Sequence, residues 1–296
     1  MADRIELIGR SVIQHGPGND RVYLMKQHPD DAPALPEKLD RLASEEGYSK
    51  IFAKVPSGSA GHFLAAGFGV EAEIPGFYPT GEPVCFLGKY LTPERRREKR
   101  PALVREVLSA ASTAAGRPGE GKPPLPDGYS WAVAGEGDAD ELAVLFGQVF
   151  DSYPFPIHKA SFIVSSMKGA TLYFGVRQGE GVVAASSAEM DPDSKSVEMT
   201  DFAILPAYRG QGIALFLLQR MEEAMEQRGI RSFFTIARAY SFGMNITFAR
   251  NGYHFAGTLT NNTNIAGSLE SMNVWYKTRH YYAADMDSRS WRCRTY

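Results

Sequence analysis

The segment 197–214 constrains the fold most, because it changes from a strand-like to a helix-like sequence across a turn with two glycines. Its first part is β-branched and apolar as far as Leu205, Pro206 interrupts it, and an amphipathic helix pattern begins at Ile213. A glycine turn before a helix leaves the first backbone N–H groups unpaired and lets a ligand approach closely. Since the helix dipole also favours negative charge there, the segment predicts a phosphate-binding turn.

Two common phosphate-binding motifs do not fit this turn. A P-loop requires a lysine after its last glycine, but Ile213 follows Gly212. The dinucleotide fingerprint requires a third glycine where Leu215 stands. The remaining pattern, R-x-x-G-x-A from Arg209 to Ala214, resembles the pyrophosphate loop of the GNAT acyltransferase superfamily, which binds acetyl-CoA. An ordinary tight turn between a strand and a helix is the alternative.

Composition narrows the class of protein. A chain of 296 residues with 44% hydrophobic and 22% charged residues is typical of a globular protein long enough for two domains. The net charge of -2 gives no electrostatic reason to expect a nucleic acid or an anionic membrane as partner. No apolar run approaches the length of a membrane span, and the N-terminus does not read as a signal peptide. Cys85 and Cys293 suggest neither a disulfide framework nor a metal site, so we expect a cytoplasmic protein without a metal.

The order of predicted elements supports a specific fold class. From residue 129 the patterns read β-α-α-β-β-β-α-β-α-β-β, which is the order of the GNAT fold. This implies an α/β (α+β) protein with a central mixed, mostly antiparallel and splayed sheet. We expect a helix and a Pro/Gly-rich linker at residues 93–128, a catalytic GNAT domain at 129–280 and a C-terminal tail at 281–296. The basic run 95–100, interrupted by glutamate, is interpreted as a solvated face.

Residues 1–92 repeat part of this pattern. Both halves show a strand, a short helix and then F-x-x-x-G-[FY], with Phe63, Gly67 and Phe68 matching Phe248, Gly252 and Tyr253. The proline-rich residues 28–33 replace the R-x-x-G-x-A turn, so we predict a degenerate half-GNAT domain without a CoA site. Chance similarity between small α/β units is the alternative. Such a half-domain would cover its sheet edge with its neighbour or with a second chain, which leaves a homodimer open.

Several strings spread over both domains carry a narrower resemblance. They are IQHG at 13–16, NDRVYLMK at 19–26, IPGFY at 74–78, GMN at 243–245, NNT at 261–263 and ESMNVWYK at 270–277. Together they resemble the β-lysine N-acetyltransferase family. That resemblance implies transfer of an acetyl group from acetyl-CoA, as cosubstrate, to the terminal amine of β-lysine (3,6-diaminohexanoate). It also implies a partner lysine 2,3-aminomutase, a zwitterionic compatible solute as product, and a role in osmoprotection.

Two other functions stay open at this point. The acceptor of a GNAT enzyme can be another diamine, amino acid or antibiotic. A module that binds CoA without transferring an acetyl group is the second alternative, favoured by the phenylalanine at position 248.

Resemblance to the superfamily also implies the cofactor-binding residues. The strand would polarise the thioester carbonyl, the turn would hold the pyrophosphate, and a splay from residues 233–237 would admit the pantetheine arm. The expected cofactor-binding residues are Phe202, Ala203, Ile204, Arg209, Gly210, Gln211, Gly212, Ile213, Ala214, Ser241 and Asn245.

Glu198 is the candidate general base. It lies six residues before Ile204, the spacing at which some GNAT enzymes carry a glutamate base, and strand alternation places it on the face of Phe202. Burial beside the slot would raise its pKa toward the working pH. Asp201, expected on the opposite face, is the alternative base or a ligand of the substrate ammonium. A structural salt bridge is the other interpretation of either residue.

The general acid is where this sequence departs from the superfamily. Phe248 occupies the position that often carries a tyrosine, and phenylalanine cannot donate a proton. Tyr240 and Tyr276 are the candidate replacements, or the thiolate leaves without a dedicated acid.

The acceptor residues follow from the same resemblance. The expected ones are Asp151, Tyr153, Asn262, Glu270 and Asn273. An arginine that the sequence does not single out should pair with the substrate carboxylate. His15 and His254 are interpreted as packed rather than catalytic histidines.

Overall fold

The computed structural model describes residues 3–115 and 124–279, and a thirteen-stranded sheet runs through them. Its strands are β1 (Arg4–Ile8), β2 (Ser11–Gly16), β3 (Arg21–Lys26), β4 (Lys50–Pro56), β5 (Gly69–Ile74), β6 (Val84–Tyr90), β7 (Tyr129–Val133), β8 (Thr171–Gln178), β9 (Gly181–Asp191), β10 (Ser196–Ile204), β11 (Ser232–Arg238), β12 (His254–Ile265) and β13 (Ser268–Thr278).

Eight α-helices connect these strands. They are α1 (Leu35–Glu46), α2 (Ser57–Ala65), α3 (Pro93–Arg96), α4 (Pro101–Ala115), α5 (Ala139–Val149), α6 (Ala160–Lys168), α7 (Ile213–Gln227) and α8 (Phe242–Arg250), counted within the described residues. Sequence patterns predicted all of them from residue 129 onward, because their apolar residues recur at helical spacing. None of the helices in the described ranges is long and apolar enough to cross a membrane.

The sheet is built from two halves with the same strand order. Its order is β1-β2-β3-β4-β6-β5-β12-β13-β11-β10-β9-β8-β7. From β1 inward and from β8 inward, the neighbours pair antiparallel, antiparallel, parallel, antiparallel and antiparallel in the same sequence. The matching order of pairs agrees with the repeat predicted from the sequence. The exact domain boundaries stay a prediction.

The two halves meet where β5 pairs antiparallel with β12. The Cα partners are Ala72 and Gly257. A Cβ atom on Gly257 would lie 2.1 Å from the backbone oxygen of Glu71, so this approach requires glycine. The inner edge of the N-terminal half is therefore covered by the same chain, the first of the two covers considered from the sequence.

The two F-x-x-x-G-[FY] motifs adopt the same conformation. The rings of Phe63 and Phe68 meet edge-on at 5.3 Å between centroids, and those of Phe248 and Tyr253 at 5.0 Å. In each motif the backbone N–H of the last residue donates to the carbonyl of the first, at 3.1 Å. The glycine between them has a φ of 86° in one half and 80° in the other. Each motif closes its helix with the same left-handed turn.

The helix expected between the halves is present as α4 and packs on the C-terminal half. Ala111 of α4 is buried in the core of the C-terminal half. Arg95, predicted to lie on a solvated face, is only 4% exposed. Its guanidinium donates to the backbone oxygens of Asn19, Asp20 and Asn261, so it joins the two halves and the solvated-face interpretation is wrong for this residue. Residues 116–123 of the predicted linker and the tail from 280, including Cys293, lie outside the described residues.

The sequence patterns predict no strand before residue 20, and they predict the last two strands only over residues 253–259 and 271–277, so β1 and β2 were missed and β12 and β13 are longer than expected. Strand β1 is an outer edge with exposed Ile5 and Leu7, so its apolar residues do not mark a buried face. The β12–β13 hairpin continues to Ile265 and Ser268 through three asparagines, Asn261, Asn262 and Asn264, and asparagine is depleted in strands. Pairing with neighbouring strands, and not local sequence preference, therefore determines where these strands form and how long they are.

Candidate active site

The parallel strands β10 and β11 separate at the centre of the C-terminal half. They pair through Ser196, Val197 and Glu198, and the ladder ends at the partners Glu198 and Phe234. A cavity of about 520 Å³ opens there and continues to β3 and β4 of the N-terminal half. Ile236 and Ala237, beyond the end of the ladder, line its wall. The splay predicted from the sequence is therefore present.

A β-bulge changes the side chains that β10 presents to the cavity. The register between β9 and β10 shifts between Thr200 and Ala203, and Asp201 has a left-handed φ of 54°. The extra residue turns Asp201 into the cavity beside Glu198. The expectation that Asp201 lies on the opposite face is wrong, because strict alternation does not hold across a bulge.

Three carboxylates meet at this point of the cavity. Glu198 faces Glu189 across the β9–β10 pair, and Asp201 follows after the bulge. The pKa of Glu198 is raised to about 7, mainly by burial and in addition by the charge of Asp201, while Lys54 and a hydrogen bond with the Ile236 backbone limit the rise. A group with this pKa exchanges protons near neutral pH, as a general base must.

The two neighbouring carboxyls are also perturbed. Glu189 stays accessible inside the cavity, yet its depth in the protein raises its pKa well above the usual range, and the charges of Asp201 and Glu198 add to this. Burial likewise raises the pKa of Asp201, while hydroxyl groups of Ser187 and Tyr153, each 2.5 Å from its carboxylate oxygens, oppose the rise. Sequence reasoning missed Glu189, because only the pairing of β9 with β10 shows that it faces Glu198.

The glycine turn before α7 offers unpaired backbone donors. Gly210 and Gly212 both have a φ of 79°, and Gly212 is the N-cap without a side-chain hydrogen bond. Within the described residues no protein acceptor takes the backbone N–H groups of residues 210–215. Arg209 is exposed and donates to the carbonyl of Ile204 at 3.2 Å, and Gln211 accepts from Tyr129 at 2.8 Å. A glycine turn with free amides at a helix N-terminus fits a diphosphate.

The candidate acids do not reach the cavity. Tyr240 donates to Glu98 at 2.6 Å, and burial with this hydrogen bond raises its pKa far above neutral. Tyr276 packs against His254. Phe248 is fully buried, lines the cavity and meets Phe202 edge-on at 5.6 Å between centroids. The structure thus gives no role in proton donation to either tyrosine.

Three predicted residues are used inside the protein. Asn245 is fully buried: its amide nitrogen donates to the Arg238 and Ser241 carbonyls, and its oxygen accepts from Asn273 and Trp275. Asn273 is fully buried too, and its oxygen accepts from a threonine hydroxyl. Ser241 caps α8 by accepting from a backbone N–H group. These contacts correct the expected roles of Asn245 and Asn273 in ligand binding, since both side chains are fully buried and engaged within the protein.

The remaining acceptor candidates divide into two groups. Tyr153 and Asn262 line the cavity. Asp151 is exposed and outside its lining, and Glu270 forms an ion pair with Arg238 at 2.7 Å instead. Of the two histidines, His15 is buried against Tyr48 and His254 lies on the surface; neither lines the cavity.

Similarity to known proteins agrees with this geometry. Residues 140–253 match the acetyltransferase (GNAT) family. The chain is 38% identical over 275 residues, 93% of its length, to a β-lysine N(6)-acetyltransferase of Methanococcus maripaludis, of which it covers 98%. A β-lysine N(6)-acetyltransferase of Methanosarcina mazei is 37% identical over 51% of the chain and 56% of that protein. N-acetyltransferase YodP of Bacillus subtilis is 31% identical over 90% of the chain and 95% of that protein.

These findings confirm the predicted GNAT fold and the acetyltransferase class, and they count against a module that only binds CoA. The chain belongs to the β-lysine N(6)-acetyltransferase family of GNAT acetyltransferases.

Proposed function

We propose that this protein transfers the acetyl group of acetyl-CoA to the N6 amine of β-lysine. The observation that carries this proposal is 38% identity to a β-lysine N(6)-acetyltransferase across 98% of that relative. The cavity supports it, because it joins a splayed β10–β11 pair to a cluster of carboxylates suited to a cationic acceptor. The product would be a zwitterion without net charge, which suits a compatible solute and a role in osmoprotection.

The turn before α7 would hold the cosubstrate. Its free amides and the positive end of the α7 dipole suit a diphosphate, with Arg209 adding charge. The pantetheine arm would enter between β10 and β11, past Phe202 and Phe248. Backbone N–H groups of β10 beyond Glu198, released from β11, would polarise the thioester carbonyl. Acetyl-CoA supplies the activated acyl group, and no residue of the chain needs to become acylated.

Glu198 would act as the general base. An alkyl ammonium has a pKa near 10.4, so it must lose a proton before its nitrogen can attack. A carboxylate with a pKa of about 7 at the end of the splay can accept that proton at neutral pH. Asp201 would hold Glu198 near this pKa through its charge, and Tyr153 would fix Asp201 through its 2.5 Å hydrogen bond.

The leaving thiolate would need no dedicated acid. The position facing the end of the splay is Phe248, and both candidate tyrosines are engaged elsewhere. When the nitrogen has attacked and the carbon–sulfur bond breaks, the second proton of the nitrogen passes to the thiolate or to solvent. A thiol with a pKa near 8.5 is an acceptable leaving group in water.

The direct test is to incubate the protein with acetyl-CoA and β-lysine and to identify the product by tandem mass spectrometry. We expect a single acetyl group on N6. α-Lysine, a diamine and an aminoglycoside serve as competing acceptors. No mass gain on any amine would refute the proposal. Preferred acetylation of another amine would show that this amine, and not β-lysine, is the acceptor.

A further inference from the structure

The far end of the cavity is built by the N-terminal half of the chain. Arg21 and Tyr23 on β3 and Phe52 and Lys54 on β4 line it, opposite the carboxylates of β9 and β10. Asn262 on β12 completes this wall. A catalytic GNAT domain alone would leave the acceptor side open, so this wall can select the acceptor.

Arg21 is a buried cation without a counter-ion. It is 4% exposed, and within the described residues no carboxylate lies within 4.0 Å of its guanidinium. The other two buried cations of the N-terminal region do have partners: Lys50 pairs with Glu71 at 2.8 Å and Arg95 with Asp20 at 3.0 Å. An unpaired buried charge is costly, so an anionic ligand would stabilise Arg21.

The contacts of Arg21 leave one of its N–H donors unused. Its Nη1 atom donates to the backbone oxygen of Asn262 at 2.5 Å and to the hydroxyl of Thr263 at 3.2 Å. Its Nε atom has no partner in the described structure. The guanidinium carbon lies 5.1 Å and 5.7 Å from the ring centroids of Tyr23 and Phe52, which fix its plane. Desolvation lowers its pKa to about 10, so it stays protonated at neutral pH.

Asn262 offers the complementary group. The residue is 1% exposed, it lines the cavity, and its side-chain oxygen has no hydrogen-bond partner in the described structure. An amide oxygen accepts and cannot donate, so it requires an N–H or O–H donor from a ligand. The backbone contact with Arg21 places an anion site and a donor-seeking oxygen next to each other.

We propose that Arg21 binds the carboxylate of the acceptor and that Asn262 accepts a hydrogen bond from its C3 ammonium. In a β-amino acid these two groups are separated by one carbon, which matches the adjacency of the two residues. The N6 amine then extends toward Glu198 at the splay. This assignment rests on the proposed function and deepens it: the N-terminal half makes the enzyme select an ω-amino β-amino acid over a plain diamine.

The test compares β-lysine with 1,4-diaminopentane, the same molecule without its carboxylate. In the wild type we expect kcat/KM for β-lysine to exceed that for the diamine by about 100-fold or more, since a site built for a polar group rejects its absence strongly. Arg21→Met should raise KM for β-lysine by about 100-fold with little change in kcat, and it should leave the diamine unaffected or improved. Arg21→Lys should restore part of the discrimination, because it keeps the charge.

A charge-matched control lies on α1 of the same half. Arg41 is exposed, paired with Glu37 at 3.0 Å and outside the lining of the cavity, so Arg41→Met should leave the ratio between the two acceptors within about threefold. Circular dichroism and thermal melts of each variant separate lost folding from lost recognition.

The outcomes separate this assignment from the proposed function. Acetylation of β-lysine that is insensitive to Arg21→Met, or a wild type that acetylates the diamine equally well, overturns the assignment alone. A wild type that acetylates neither acceptor overturns both. If Arg21→Met does not fold, the wild-type ratio and Arg21→Lys still decide.

Discussion

The two halves of the sheet share a strand order but differ where each enters its first crossover helix. In the C-terminal half, Gly210 and Gly212 leave the amides before α7 free. In the N-terminal half, the connection to α1 contains Asp30 and Asp31, and a carboxylate oxygen of Asp31 accepts from the backbone of Arg10. Acidic side chains repel a phosphate, so one half can hold an anionic cofactor and the other cannot.

The parallel ladders differ in the same way. Tyr23 is the third residue in the ladder of β3 with β4, which continues for one more pair. Glu198 is the third residue in the ladder of β10 with β11, which stops there. The comparison teaches that one frame serves two tasks. The longer ladder of β3 with β4, called the closed ladder here, contributes a wall of the cavity, and the shorter ladder of β10 with β11, the open ladder, ends in a slot with an ionisable group.

The largest effect should come from changing the ionisable group at the end of the open ladder. Glu198→Gln should lower kcat/KM by about 100- to 1,000-fold at pH 6, because it removes the base. The loss should shrink toward pH 9.5, where more of the amine is already deprotonated. Tyr23→Phe is the matched change in the closed ladder, and it should not alter the shape of the pH–rate profile. Equal losses for Glu198→Gln at both pH values would exclude Glu198 as the base.

The next effect concerns the junction of the halves. Gly257→Ala places a methyl group against the Glu71 backbone and should lower the free energy of unfolding by about 2–4 kcal/mol. Gly61→Ala, at a helical position with no atom within 4 Å of the new Cβ, should be neutral or slightly stabilising. Urea titration of both variants measures this. A neutral Gly257→Ala would show that the halves separate freely.

A smaller effect should distinguish the two helix-associated turns. Gly210→Ala and Gly47→Ala both put a side chain at positive φ in open space, at 79° and 72°, and each should lose about 1 kcal/mol of stability. Gly210→Ala should in addition raise KM for acetyl-CoA by about tenfold, since it disturbs the amide geometry. An unchanged KM for acetyl-CoA would contradict the location of the diphosphate.

The smallest effect should be the change in the pH dependence of thermal stability when Glu198 is replaced. The pKa of Glu198 in the folded protein is about 7, above the usual 4.5. Its contribution to stability is therefore present below about pH 4.5 and lost as the pH rises through 7. Glu198→Gln should then raise Tm by roughly 2–4 °C at pH 8.5 and by less at pH 5. Differential scanning calorimetry checks the sign, and an equal shift at both pH values would contradict the raised pKa.

Sequence patterns predicted the local part of this molecule well. The turn before α7 lies within one continuous segment, so periodicity and glycine spacing reveal it, whereas the splay and Glu198 were expected from the resemblance to the GNAT superfamily. The bulge at Asp201 was missed, because no glycine or proline marks it. Arg21, Lys54 and Glu189 were missed because each reaches the cavity only through the pairing of strands that are distant in sequence. The residues 19–26 were part of the family resemblance, but similarity alone assigns no role.

The asparagines also show that sequence similarity does not reveal the role of a residue. Asn245, Asn262 and Asn273 all lie in strings that resemble the family. Only the network of hydrogen bonds shows that Asn245 and Asn273 satisfy each other while the side-chain oxygen of Asn262 stays free. The three asparagines thus have different roles because their hydrogen-bond partners differ. Those partners lie on three separate strands and a helix, so the sequence does not show them.

The meeting of β5 with β12 has a consequence for how such a chain can be divided. The cosubstrate loop and the splay lie on one side of that seam, and Arg21 and Lys54 lie on the other. On the proposed assignment, a C-terminal fragment cut at the seam would keep the loop and the slot for the thioester but lose the arginine that binds the carboxylate of the acceptor. Acceptor choice would then require both halves in one chain, and neither fragment would show it alone.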